Sequence, residues 1–206
     1  MREILIVVSL CAVCIAAAAI FRRRRLARQA PPLGMVLLLS RTRPLQASTL
    51  AASFGQVTNT AFRVVQPDKG RPVTPADLPE GNAVLGKPPS FLIQAEDDLF
   101  VVNSIAKPYA SDLGHACEGA DAAFVAKVQQ EHQAWLSVEI LHPEAVSAAN
   151  YRIVAQVIAE LISPDCLALF HPESRKLVPV HSPETLAKLR TQHPINSVFG
   201  TTVGLL

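Results

Sequence analysis

The chain has 206 residues, 19 of them basic and 17 acidic, and half of its residues are hydrophobic. The charge is unevenly placed: six basic residues and one acidic residue precede Met35, which leaves 13 basic against 16 acidic over the rest. A net-acidic body lacks the clustered basic face of a nucleic-acid-binding domain, so nucleic acid is excluded as an expected partner.

Ile4 to Phe21 reads ILIVVSLCAVCIAAAAIF, with Ser9 as its one polar residue and no charge. About eighteen apolar residues are the lower end of what spans a bilayer as a helix. A spanning segment must be helical, because lipid offers its backbone no partners. A secretory signal carries its positive charge before the apolar region and a small-residue cleavage site after it. Here Arg2, the terminal amine and Glu3 nearly cancel in front, while Arg22, Arg23, Arg24, Arg25 and Arg28 follow. The sequence therefore predicts a retained single-pass anchor in the inner membrane. The positive-inside rule sets the N-terminus out and the body in the cytoplasm. The five arginines would lie at the membrane surface, where they also meet anionic lipid. Residues 1–3 are then a short tail, 4–21 the transmembrane helix, 22–34 a basic, proline-containing linker, and 35–206 a cytoplasmic domain.

Within that domain, Met35–Ser40 (MVLLLS) is a continuous apolar run of strand length, as in a strand buried on both faces. From Pro44 to Phe54, residues Leu45, Leu50 and Phe54 fall near helical spacing. Pro44 suits a first turn and Gly55 a helix end. Ala61–Val65 reads as a short strand, and Gln66–Pro89, rich in Pro, Gly and Asp, as an irregular excursion. Ser90–Ala95 and Leu99–Ile105 form a hairpin pattern around Glu96-Asp97-Asp98, a turn without glycine. Asp121–Gln133 reads as a helix and Trp135–Leu141 alternates as a strand. Glu144–Ile162 carries a broad apolar helical stripe. Cys166–His171 and Lys176–Val180 read as strands around a turn, and Ser182 with Pro183 opens a last helix. The tail from Ile195 carries no clear pattern.

The order β-α-β-β-α-β of the first part is that of a ferredoxin-like split unit. The expected fold is therefore α+β: a mostly antiparallel sheet with helices packed on it, a ferredoxin-like core and a C-terminal extension.

Motifs that would name a chemistry are absent: no phosphate-binding Gly loop, no H-E-x-x-H, no G-x-S-x-G. Cys11 and Cys14 fall inside the apolar anchor, and Cys117 and Cys166 read as reduced thiols. Glu131–Leu141 (EHQAWLSVEIL) holds the single tryptophan. One reading gathers His132, Trp135, Ser137 and Glu139 around a pocket, with the imidazole as base or ligand. The other makes His132 a satisfied residue at a helix C-terminus and Trp135 a core anchor. His142, His171 and His193 each precede proline and lack paired ligand spacing, so they mark strand exits and turns. No metal or other cofactor is expected. A solvated turn accounts for Glu96, Asp97 and Asp98.

Glu131–Leu141, followed by Tyr151–Val180, resembles a bacterial family of uncharacterised proteins. There, H-x-x-W-l-s-V precedes an amphipathic helix and a c-l-A-L-f-h-P strand. The matching residues are His132, Trp135, Ser137, Val138, Cys166, Ala168, Leu169, His171 and Pro172, and Pro89–Ile93 and Lys107–Tyr109 resemble the family as well. The resemblance implies one folded domain of unknown function and assigns no activity. Two function classes are expected to compete. The first is a non-catalytic protein-interaction module, with Tyr109, Trp135 and Ser137 as contact residues. The second is a small hydrolase or metal-dependent enzyme built on His132, Glu139 and His171.

Overall fold

The computed structural model describes residues 33–66, 77, 79–141, 147–191 and 193–200. The predicted anchor and the arginines after it lie outside the described residues. Among the described residues no helix is long and apolar enough to cross a membrane. The fold is α+β: one eight-stranded sheet, mostly antiparallel, with helices packed against it.

The strands are β1 (Gly34–Leu39), β2 (Arg63–Val65), β3 (Ala83–Lys87), β4 (Ser90–Ala95), β5 (Asp98–Ile105), β6 (Ala134–Ile140), β7 (Cys166–His171) and β8 (Lys176–Pro179). They lie side by side in the order β2-β3-β4-β5-β6-β1-β7-β8, and only β2 and β3 run parallel. A ferredoxin-like unit would pair the first strand with the second strand of the hairpin. Instead β6 stands between β5 and β1 and is antiparallel to both, so the ferredoxin-like arrangement is not formed. A continuous apolar run such as β1 accepts any two neighbours that bury its faces. The observed pair, β6 and β7, leaves all six β1 residues buried.

Side chains alternate across the sheet. Met35, Leu37, Leu136, Val138, Leu169 and Phe100 point to a first face. That face is covered by helices α1 (Ala47–Thr58), α4 (Ala148–Leu161), α5 (Pro183–Leu189) and α6 (Pro194–Phe199). Val36, Leu38, Ala168 and Phe170 point to the second face, against α2 (Leu113–Ala116) and α3 (Ala122–Glu131).

Helix ends differ from the sequence expectation in instructive ways. α1 runs through Gly55 and stops at Asn59 in the left-handed region. The glycine is needed for close approach, because a Cβ there would sit 2.8 Å from the Thr60 carbonyl oxygen. α4 begins behind a capping box in which Ser147 and Asn150 satisfy each other's backbone. Ser182 stands at the N-cap of α5 without a side-chain cap bond, and Pro183 supplies the first turn. The excursion expected over Gln66–Pro89 contains β3, and the tail forms α6.

Candidate functional site

The catalytic trio suggested by the sequence is not assembled. His132 caps the end of α3, beside Gln133, whose N–H bonds the Leu39 carbonyl. His171 ends β7, one residue past Phe170, which pairs with Val36. The two histidines therefore stand toward opposite ends of β1 and on opposite sides of it. Glu139 pairs with Gly34 and points to the second face, whereas His171 points to the first. A zinc ion needs its ligands within about 2 Å, so these three residues cannot share one. Among the described residues no group of three or more His, Cys, Asp or Glu is placed to hold a metal ion.

Each histidine instead has a local task. His132 is buried, and its Nδ1 lies 2.9 Å from the Val128 carbonyl one turn back. A carbonyl only accepts, so Nδ1 carries the proton; Nε2 is buried without a partner. His171 is fully buried at the β7–β8 turn. Its Nδ1 accepts from the Ser174 N–H at 3.3 Å and lies 2.7 Å from the Ser174 hydroxyl. That arrangement closes the turn, and it places the remaining proton on Nε2, which has no hydrogen-bond partner. The ring stacks on Phe199 of α6, with centroids 5.0 Å apart, and meets Tyr151 of α4 edge-on at 5.9 Å. Burial holds its pKa down at about 4, against the pull of the Glu173 carboxylate 3.9 Å away. Tyr151 donates to Glu173, and burial and that carboxylate both push its own pKa up.

The second face, by contrast, does gather the residues expected to bind a partner. Trp135, Ser137 and Glu139 are alternate residues of β6 and share that face by strand periodicity. Tyr109, on the chain leaving β5, packs edge-on against the Trp135 ring with centroids 5.3 Å apart and also touches Phe170 at 5.5 Å. Cross-strand pairing sets Asn103 opposite Ser137 and Ser90 opposite Asn103. A polar ladder results. The Ser90 hydroxyl donates to Asn103 at 2.7 Å. Asn103 Nδ2 reaches Ser137 Oγ and Glu139 Oε1, each at 3.3 Å, and Ser137 donates to Glu139. Ser137 is fully buried, while Asn103, Glu139, Tyr109 and Trp135 are half-buried. The Tyr109 hydroxyl is pushed up to about 12, by burial first and then by the negative charges of Glu139 and Cys117. At neutral pH it is therefore a hydrogen-bond donor. The Trp135 indole N–H is buried without an acceptor.

Sequence reasoning missed Asn103, which joins two strands far apart in the chain and carries no local signal. It also missed a concavity on the first face. A cleft of about 620 Å³ opens beside the β4–β5 turn, between the C-terminal end of α1 and the first turns of α4.

Compared with known proteins, the chain matches no family model, no curated protein and no solved structure.

Proposed function

We propose that this protein is a single-pass inner-membrane protein whose α+β domain lies in the cytoplasm and binds a protein partner without catalysing a reaction. The observation that carries the reading is the meeting of Tyr109, Trp135 and Ser137 on one sheet face. The Asn103–Glu139 ladder lies beside them. Half-buried aromatic rings beside a satisfied polar network are the composition of a contact surface: the rings supply area and the polar groups fix register. The competing enzyme reading needs His132, Glu139 and His171 together, and they occupy opposite ends and faces of the sheet. The membrane half of the proposal rests on the uncharged run Ile4–Phe21 and the arginines that follow it. The family resemblance around His132–Val138 and Cys166–Pro172 belongs to the same proposal and adds no activity.

The test is photo-crosslinking from position 109 in native membranes, with wild-type protein and with folded Asn103→Ala and Tyr109→Ala variants as competitors. One crosslinked partner, displaced by wild type and not by the variants, supports the reading. Equal displacement by the variants ends it. For the anchor, resistance to alkaline extraction together with protease protection of the C-terminal domain in sealed, right-side-out vesicles is the expected outcome.

A further inference from the structure

The polar ladder on the second face ends on a carboxylate without a counter-ion. Glu139 Oε1 accepts from Asn103 and from Ser137. Both donors are neutral, so they stabilise the charge without cancelling it. Among the described residues no ion pair includes Glu139. Its side chain is half-buried all the same. A carboxylate drawn partly out of water and left unpaired is costly, and a cation arriving from outside relieves that cost.

The surroundings select the kind of cation. Tyr109 lies near enough to feel the Glu139 charge, which adds to the burial that holds its hydroxyl protonated, and its ring packs edge-on against Trp135. On the other side, Val101 of β5 stands opposite Glu139, and Leu92 of β4 stands opposite Val101. An apolar strip therefore runs up to the carboxylate on the same face. A bare metal ion would need more oxygen or nitrogen ligands than this site offers. A long side chain with an apolar stem and a cationic head fits better: the stem covers the strip and the head meets the carboxylate beside a ring. Of the two such residues, arginine has the flat, weakly hydrated head that stacks on aromatic rings and offers several donors to one carboxylate. The body past Gly34, with 13 basic against 16 acidic residues, also favours the approach of a basic surface.

We propose that Glu139, Tyr109 and Trp135 receive an arginine side chain of the protein partner. This rests on the reading of the second face as a contact surface and names what the partner presents to it. The guanidinium pairs with the Glu139 carboxylate against the Tyr109 ring, while Asn103 and Ser137 hold the carboxylate in position.

The test is a titration of the full chain in alkyl-maltoside micelles with N-acetylarginine amide at constant ionic strength. It is followed by nuclear magnetic resonance at the Asn103 side-chain amide, which donates to Glu139, and at the single tryptophan indole. Saturable shifts with a Kd on the order of 1–10 mM are expected. N-acetylcitrulline amide has the same length and a neutral head, and should bind at least about tenfold more weakly. Glu139→Gln keeps an acceptor for Ser137 and Asn103 and should weaken arginine binding about tenfold. The proposal is overturned when arginine and citrulline bind alike, a comparison that needs no variant, or when Glu139→Gln binds like wild type. A response that appears only after Arg22, Arg23, Arg24, Arg25 and Arg28 are changed to glutamine would put the chain's own arginines in the site and also overturn it. The titration needs no partner, so its failure leaves the crosslinking result from position 109 standing, and a missing crosslink leaves the titration standing.

Discussion

The two faces of the sheet are built from the same alternating strands and end in different states. On the first face, four helices close over Met35, Leu37, Phe100, Leu136 and Val138, all completely buried. On the second, α2 and α3 cover Val36, Leu38, Ala168 and Phe170, and the neighbouring positions of β5 and β6 carry Asn103, Ser137 and Glu139. Burying such groups is tolerable only because they bond each other; unpaired, each would cost about 1–3 kcal/mol. One face is thus committed to stability. The other accepts a polar network that a core does not need, and this difference is what makes it the candidate contact surface.

Truncation of the first face should show the largest effect. Leu37 lies in the central strand at zero exposure, between Leu136 and Leu169. Leu37→Ala should destabilise by about 2–5 kcal/mol, from lost transfer energy plus the cavity left behind. Asn103→Ala on the second face should cost about 1–2 kcal/mol, because the ladder loses one member and half-buried neighbours regain water. Urea midpoints of both variants compare the faces directly, and equal losses would erase the distinction drawn here.

His171 links the first face to pH. Its folded pKa of about 4 lies below the usual value of 6.5, so between those values the unfolded chain binds the proton and the folded chain does not. Stability should therefore fall as pH drops from about 6.5 to about 4, by on the order of 2–3 kcal/mol at the acid end. Above pH 6.5 this contribution is flat. His171→Phe keeps the stack on Phe199 and removes the titration, so its melting temperature should follow pH less steeply across that window. An unchanged slope would assign the acid sensitivity to other groups.

Much of this architecture was legible in the sequence, and the losses have definite causes. Cys166–His171 is a strand with the expected bounds, because its apolar run is flanked by Pro164-Asp165 and Pro172. α6 carried its own signals, Pro194 at the first position and Gly200 in the left-handed region after it, but six residues are too few to show a period. β3 was hidden because AVLGK is short and follows a Pro- and Gly-rich stretch. Strand order was not legible at all: nothing local in β6 says that it separates β5 from β1. The Tyr109–Trp135 contact and the Asn103 ladder depend on that order. The candidate residues were therefore readable one by one, but their meeting was not.

The β4–β5 turn shows how a missing signal is replaced. The hairpin was visible without a glycine, and the structure places Glu96 at φ +56°, a region that side chains usually avoid. Asn82 offsets part of that cost by accepting the Glu96 N–H. Glu96→Gly should relieve the strain and stabilise the fold by about 0.5–1 kcal/mol, net of the glycine's greater entropy loss. A higher melting temperature is the expected outcome, and a lower one would show that the turn is not strained.

The smallest expected effect sharpens the second face most. Trp135 buries an indole N–H with no acceptor, while its ring packs on Tyr109. Phenylalanine keeps an aromatic edge for Tyr109 and deletes the orphaned donor, but it also leaves some volume unfilled. The two terms oppose each other at about 1 kcal/mol each, so Trp135→Phe should change stability by less than about 1 kcal/mol in either direction. Trp135→Ala, which loses the ring altogether, should cost about 3 kcal/mol or more. If the phenylalanine variant folds normally and still crosslinks the partner, the ring's area is what the partner uses. If it folds normally and loses the partner, the indole N–H is turned outward on binding, and its unsatisfied state in the free chain is part of the recognition.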